Sequence, residues 1–187
     1  DEAVHYTSIV RYCGLQRAAI GRTLKPLRND SRFMALDTLL LAVGPEESDG
    51  SDRLARTTVD IAGPSGATVV LLHPFTQEEY ESTIDNLGIR DASEVTVDDV
   101  ARRHGTIRSI SRLFEEEGID YEIRGAIGTH ADEIVRLATE TESGLVIVGG
   151  RGRSPTGKAL FGSTAQQVIL AAPCPVTLVR SDLDDRS

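Results

Sequence analysis

Between Val148 and Thr164 the chain reads VGGRGRSPTGKALFGST, which places five glycines and the cations Arg151, Arg153 and Lys158 in one short stretch. Glycine has no Cβ, so backbone amides there can come close to a ligand. The three cations favour a ligand that is anionic. Gly162 and Ser163 stand where a helix-like run begins, so the amides and dipole of a first helical turn would attract negative charge. The Ser163 hydroxyl adds a further donor. Together these residues have the chemistry of a polyphosphate cradle. The plainer alternative is a tight turn after a strand, with Ser163 serving only as an N-cap.

One phosphate loop can be excluded by its own requirements. Gly152 to Lys158 fits GxxxxGK, but the next position is Ala159, where a Walker A loop needs the hydroxyl that holds magnesium. Pro155 also removes an amide that such a loop uses. Only 29 residues follow Lys158, too late for the usual P-loop arrangement, in which a further strand brings the magnesium-holding acid.

The elements that must position the glycine stretch alternate along the chain. Short apolar runs at Thr38–Val43, Ala67–His73 and 144–150 read as strands, with a more polar one at 120–125 expected near an edge. Pro175–Arg180 is the final strand. Helical spacing appears at Ser51–Ala62, broken by GPSG, and at Val97–Glu117, with Ile107, Ile110 and Phe114 inward and Gly118 closing it. Residues 74–96 read as an acidic, irregular surface excursion. Thr129 with Asp132 resembles a capping box opening a helix at Ala131–Thr141, and Ser163–Ala171 is the last helix. The pattern predicts an α/β fold with a five-stranded, parallel, doubly wound sheet covered on both faces. Ligands of such sheets bind beyond the carboxyl ends of the strands at the switch in strand order, where Gly149–Ser163 falls.

Composition bounds the function. The 187 residues are 40% hydrophobic and 26% charged, ordinary for a soluble domain, and no apolar run nears the ~20 residues of a membrane span. The net charge is −9. Residues 1–33 hold six Lys/Arg and three Asp/Glu, a net of +3, while residues 34–187 hold fourteen and twenty-six, a net of −12. Such an acidic body, with Lys158 its only lysine, repels nucleic acid and resembles the surface of a protein from a high-salt cytoplasm. The basic segment 1–33 lacks helical or strand periodicity. It is expected to be an extension outside the folded unit, disordered or loosely docked, with the natural start at Met34; a basic functional arm is the alternative.

Catalytic constellations are not evident. Cys13 and Cys174 have neither zinc-site nor disulfide-framework spacing, and Cys174 reads as a small buried hydrophobe. His104 and His130 have no partner at metal-ligand spacing. His73, ending the second strand, reads as a packed, locally hydrogen-bonded residue, with a place beside a ligand as the other reading. No Ser-His-Asp set, Cys-His pair or carboxylate pair can be assigned, and the run of three glutamates at 115–117 is a solvated helix end.

The spacing Gly149-x2-Gly152-x9-Gly162-Ser163, with LLLAV, ATVVLLH, GLVIVGG and APCPVTLVR as strands around it, resembles the ATP-binding subgroup of the universal stress protein family. The resemblance covers about residues 36–181. It implies a Rossmann-like sandwich of the adenine nucleotide α-hydrolase type and a cytoplasmic regulatory or stress-response role. Its implied ligand is ATP, with or without Mg2+. Phosphate contacts would come from Gly152, Arg153, Gly162 and Ser163 and the Thr164 amide, a nucleoside contact from Gly149, and adenine packing from Val148. Arg151, Lys158 and His73 are further candidates.

One departure concerns the loop after the first strand. ATP-binding members carry an aspartate there, and this chain has Gly44 in VGPEES, with Glu46 and Glu47 following. That leaves a second reading, a module of the same fold that has lost the nucleotide and binds an unidentified protein. The SGGxDS-type loop of the related adenylating enzymes is absent, and at most weak ATP hydrolysis is expected. The final strand, 175–180, is short, apolar and expected at an edge, which invites pairing with a second copy. The resemblance implies the same homodimer.

Overall fold

A computed structural model of the chain describes residues 36–44, 50–89, 95–150 and 162–180. The extension 1–33, together with Glu46, Glu47, Arg151, Gly152, Arg153 and Lys158, lies outside those residues. All of the described residues belong to the unit Met34–Ser187.

Five strands, β1 (Thr38–Ala42), β2 (Thr68–Phe75), β3 (Tyr121–Ile127), β4 (Leu145–Gly150) and β5 (Val176–Arg180), form one sheet. Among the described residues six helices connect them: α1 (Ser51–Ser65), α2 (Gln77–Asn86), α3 (Val97–Arg103), α4 (Gly105–Glu117), α5 (His130–Glu140) and α6 (Ser163–Ala171). The strand order is β3-β2-β1-β4-β5, with every pairing parallel. The expected doubly wound sheet is therefore present, and β3 and β5 are its edges.

The inner strands are continuously apolar because both faces are covered. Leu39, Leu41, Val69 and Leu71 face Leu54 and Ala62 of α1 and Ile107, Ile110 and Phe114 of α4. Leu40, Val70, Val146 and Val148 face Ile134 and Leu137 of α5 and Val168 of α6. Alternation with period two divides each strand between the two layers. The chain winds outward from β1 through β2 to β3, then returns to β4 on the other side. The switch point thus lies between β1 and β4.

Several local expectations need correction. Helix α1 runs through Pro64 to Ser65 and ends at Gly66, whose φ of 67° provides the left-handed cap. A proline in the last turn removes one amide there, and the αL glycine rather than the proline stops the helix. Residues 74–96 contain α2, opened by a reciprocal cap in which Glu79 N–H donates to Thr76 Oγ1 and Thr76 N–H to Glu79 Oε2. The long helix expected over Val97–Glu117 is two helices. His104 breaks it with ψ 135°, and its ring stacks on His73 at 4.1 Å. Thr129 precedes α5 but its side chain makes no cap hydrogen bond, so the Thr129–Asp132 box is absent. Cys174 is half-buried rather than enclosed, and burial raises its thiol pKa.

Pro74 stands inside β2, an inner strand, where proline is usually excluded. Val43 N–H donates to Leu72 O and Gly128 N–H to Phe75 O, so by alternation the position of Pro74 faces β1. Strand β1 has already ended there, and no ladder bond is lost.

Candidate functional site

A cavity of about 500 Å³ opens beyond the carboxyl ends of β1 and β4, within the size range of small-molecule sites. Ala42, Val43 and Gly44 lead into it from β1, and Val148, Gly149 and Gly150 from β4. Gly162, Ser163, Thr164 and Ala165 supply the start of α6. The opposite wall comes from Gly50, Ser51 and Leu54 at the start of α1, and Thr106 of α4 contributes an edge. Pro74, Glu79, His130, Ile134 and Val179 complete it. A parallel sheet with crossover helices sends the helix N-termini toward this end, so the site is a consequence of the winding.

The glycines test whether this space is needed by the fold. Among the described residues, a Cβ added to Gly44, Gly149 or Gly162 would meet no atom within 4 Å. None of the three has positive φ. No described atom and no backbone conformation demands glycine there.

The helix starts are capped in different ways. Helices α2 and α3 are closed by reciprocal Thr–acid boxes, Thr76 with Glu79 and Thr96 with Asp99. The N-caps of α1, α5 and α6, which are Gly50, Thr129 and Gly162, make no side-chain cap bond. Among the described residues no side chain caps the start of α6, and the helix dipole there favours an anion at Ser163 and Thr164.

Glu79 and His130 on this wall are not among the site residues expected from the sequence. His130 Nε2 lies 2.7 Å from Glu79 Oε2, a hydrogen bond between positions 51 apart in the chain. Burial by itself raises the Glu79 carboxyl, but hydrogen bonds from the Thr76 backbone and from His130 outweigh it and hold the group below its ordinary value. The one available signal is the Thr76-x-x-Glu79 cap, which places Glu79 at a helix start just after β2, at the ligand end of the sheet.

His73 takes the packed role. It is 1% exposed, its Nδ1–H donates to the Val43 carbonyl at 2.9 Å, and Phe75 and His104 enclose the ring. It does not line the cavity, although its neighbour Pro74 does. Burial first, then the charge of His104, lowers its pKa to about 3, so it is neutral at physiological pH. Of the residues expected at the site, Val148, Gly149, Gly162, Ser163, Thr164 and Gly44 are brought together on one cavity. Arg151, Gly152, Arg153 and Lys158 fall outside the described residues.

A doubly wound α/β domain with a glycine-lined cleft at its switch point is the class that fold and site define. The universal stress protein family model matches residues 36–180. The chain belongs to that family. A universal stress protein of Mycolicibacterium smegmatis is 31% identical over 117 residues, covering 57% of this chain and 90% of the relative. A solved universal stress protein from Archaeoglobus fulgidus superposes with a TM-score of 0.57 at 26% identity, over 76% of this chain and 97% of the other. Another from Archaeoglobus fulgidus, in complex with dAMP, gives 0.52 at 21% identity over 78% and 99%.

Proposed function

We propose that the protein is a nucleotide-binding universal stress protein, with ATP as ligand, whose occupancy governs conformation or association. The observation that carries this reading is the cavity at the β1/β4 switch point, with open glycines on both strands' exits and the uncapped start of α6 beside them. Phosphates rest on the amides of Gly162, Ser163 and Thr164, the nucleoside lies along Gly149, and the adenine packs on Val148. The loop residues Gly152 and Arg153, with Arg151 and Lys158, supply further phosphate contacts. The dAMP bound by the Archaeoglobus fulgidus relative supports an adenine nucleotide.

The same reading includes a homodimer joined through β5, a sheet edge whose strand is mostly half-buried. It also includes a cytoplasmic setting of high salt, where an acidic, lysine-poor body is screened. Among the described residues no helix is long and apolar enough to cross a membrane. Gly44 in place of the aspartate supports a second reading, an interaction module of the same fold that holds no nucleotide.

Calorimetric titration of the full chain with ATP and magnesium in molar KCl tests the choice. Micromolar binding by the native chain, weakened at least tenfold by Gly162→Val and reduced by Ser163→Ala, is the expected result. A folded native chain that binds no adenine nucleotide sinks the nucleotide reading and leaves the module.

A further inference from the structure

Glu79 and His130 meet on the cavity wall although the local structure does not require them to. Helix α2 is already closed by the reciprocal cap between Thr76 and Glu79, and His130 is the first residue of α5, after its N-cap Thr129. The Glu79 carboxyl, held ionised by its hydrogen bonds, can only accept, so His130 Nε2 carries the hydrogen and donates it. A neutral imidazole has one N–H. Nδ1 is therefore left as the proton acceptor of the ring.

The pair adjoins the phosphate cradle. His130, Ser163 and Thr164 line both the main cavity and a neighbouring hollow of about 380 Å³ that is bounded by Thr76, Gln77 and Gln167. The His130 side chain is 18% exposed, shielded but reachable by water. A carboxylate that fixes the tautomer of a histidine beside an anion site is the arrangement of a general base with its orienting partner.

The geometry points to Glu79 and His130 as a general-base dyad that activates water to hydrolyse the terminal phosphoanhydride of a nucleoside triphosphate, an activity that rests on the nucleotide reading above. His130 Nδ1 takes a proton from water as the water oxygen bonds to the terminal phosphorus. The bridging P–O bond breaks, and its electron pair leaves on the oxygen of the nucleoside diphosphate. The imidazolium formed is stabilised by Glu79 and returns its proton to the released phosphate or to solvent. His130 is the catalytic residue and Glu79 a positioning residue.

Two measurements on the full chain separate this activity from binding: phosphate release from ATP, and the Kd of a non-hydrolysable β,γ-methylene analogue. The native chain releases phosphate slowly. His130→Ala lowers kcat about 100-fold, the low end for loss of a general base, while the analogue Kd stays within about twofold and added imidazole restores turnover. Glu79→Gln keeps the cap on Thr76, since glutamine also closes such boxes, and lowers kcat with little change in KM. Analogue binding with no phosphate release above the His130→Ala background overturns the dyad and leaves nucleotide binding standing. Failure of the analogue to bind overturns both.

Discussion

Gly125 and Gly162 are both glycines at the ligand end of the molecule, and they are there for opposite reasons. Gly125 lies on the edge strand β3, paired with His73 in register. A Cβ there would fall on the backbone carbonyl of Val97, 2.7 Å from its carbon and 2.8 Å from Val97 Cγ1. The Gly125 N–H also donates to Asp98 Oδ1 at 2.7 Å. Glycine at this position lets the first turn of α3 press against the strand. At Gly162, as at Gly149, the corresponding space holds no described atom within 4 Å. One glycine is demanded by another part of the same chain, while at the other no described atom demands it and the proposed ligand would. The sequence marks both with the same letter, and only the surroundings separate them.

The sharpest way to break this contrast is Gly125→Ala. Backbone lies on the far side of the contact, so neither partner can yield by a rotamer change, and α3 must lift from β3. The expected loss is about 3 kcal/mol of unfolding free energy, at the upper end for overpacking. Urea denaturation measures it. The fraction that remains folded should bind nucleotide with native affinity, because no wall of the cavity is touched. A loss below about 1 kcal/mol would mean that α3 docks loosely and that Gly125 is not a packing residue.

The same division runs through the histidines. His73 belongs to the interior and His130 to the cleft. The folded state holds His73 neutral with a pKa of about 3, below the ordinary value of 6.5. An unfolded chain therefore takes up this proton first as pH falls. The stability contribution is complete above pH 6.5 and is lost progressively as pH drops toward 3. Between pH 7 and pH 5 this one group should remove about 2 kcal/mol, at 1.36 kcal/mol per unit below the unfolded value. His73→Asn keeps a donor for the Val43 carbonyl and cannot titrate in this range. Its stability at pH 7 falls through the smaller side chain, but the slope between pH 7 and pH 5 should flatten. An unchanged slope would place the acid sensitivity elsewhere.

How much of this is legible in the sequence depends on how local each signal is. The strands and α6 can be read because branched apolar runs and the Gly162-Ser163 start are contiguous. The break at His104 cannot, because that residue is held extended in a fold that stacks its ring on His73, 31 positions earlier in sequence but adjacent in space. Helix α2 is concealed because its acidic surface hides helical spacing, although Thr76-x-x-Glu79 announces its start. With α2 hidden, Glu79 has no location, and His130 has no partner within reach along the chain. The glycines expected to form a cradle lie within one loop, whereas the Glu79–His130 pair requires the sheet to bring two crossovers together. Short-range spacing points to candidates contained in one segment. It misses a pair assembled by topology.

Gly149→Ala puts the open glycine to a gentler test. The position sits in β4 with ordinary negative φ and open space around the added methyl. Alanine restricts the unfolded chain more than glycine does, so the substitution should leave stability unchanged or raise it by about 0.5 kcal/mol. If glycine were there for the fold, the sign would reverse. The methyl would nevertheless stand where the nucleoside is proposed to lie, so affinity for ATP should fall severalfold in the same protein. A thermal melt and a titration on one preparation read both quantities. A more stable protein with weaker binding means that the bare backbone at this end is kept for its ligand, at some expense of stability. A less stable protein with native affinity would assign Gly149 to the same group as Gly125.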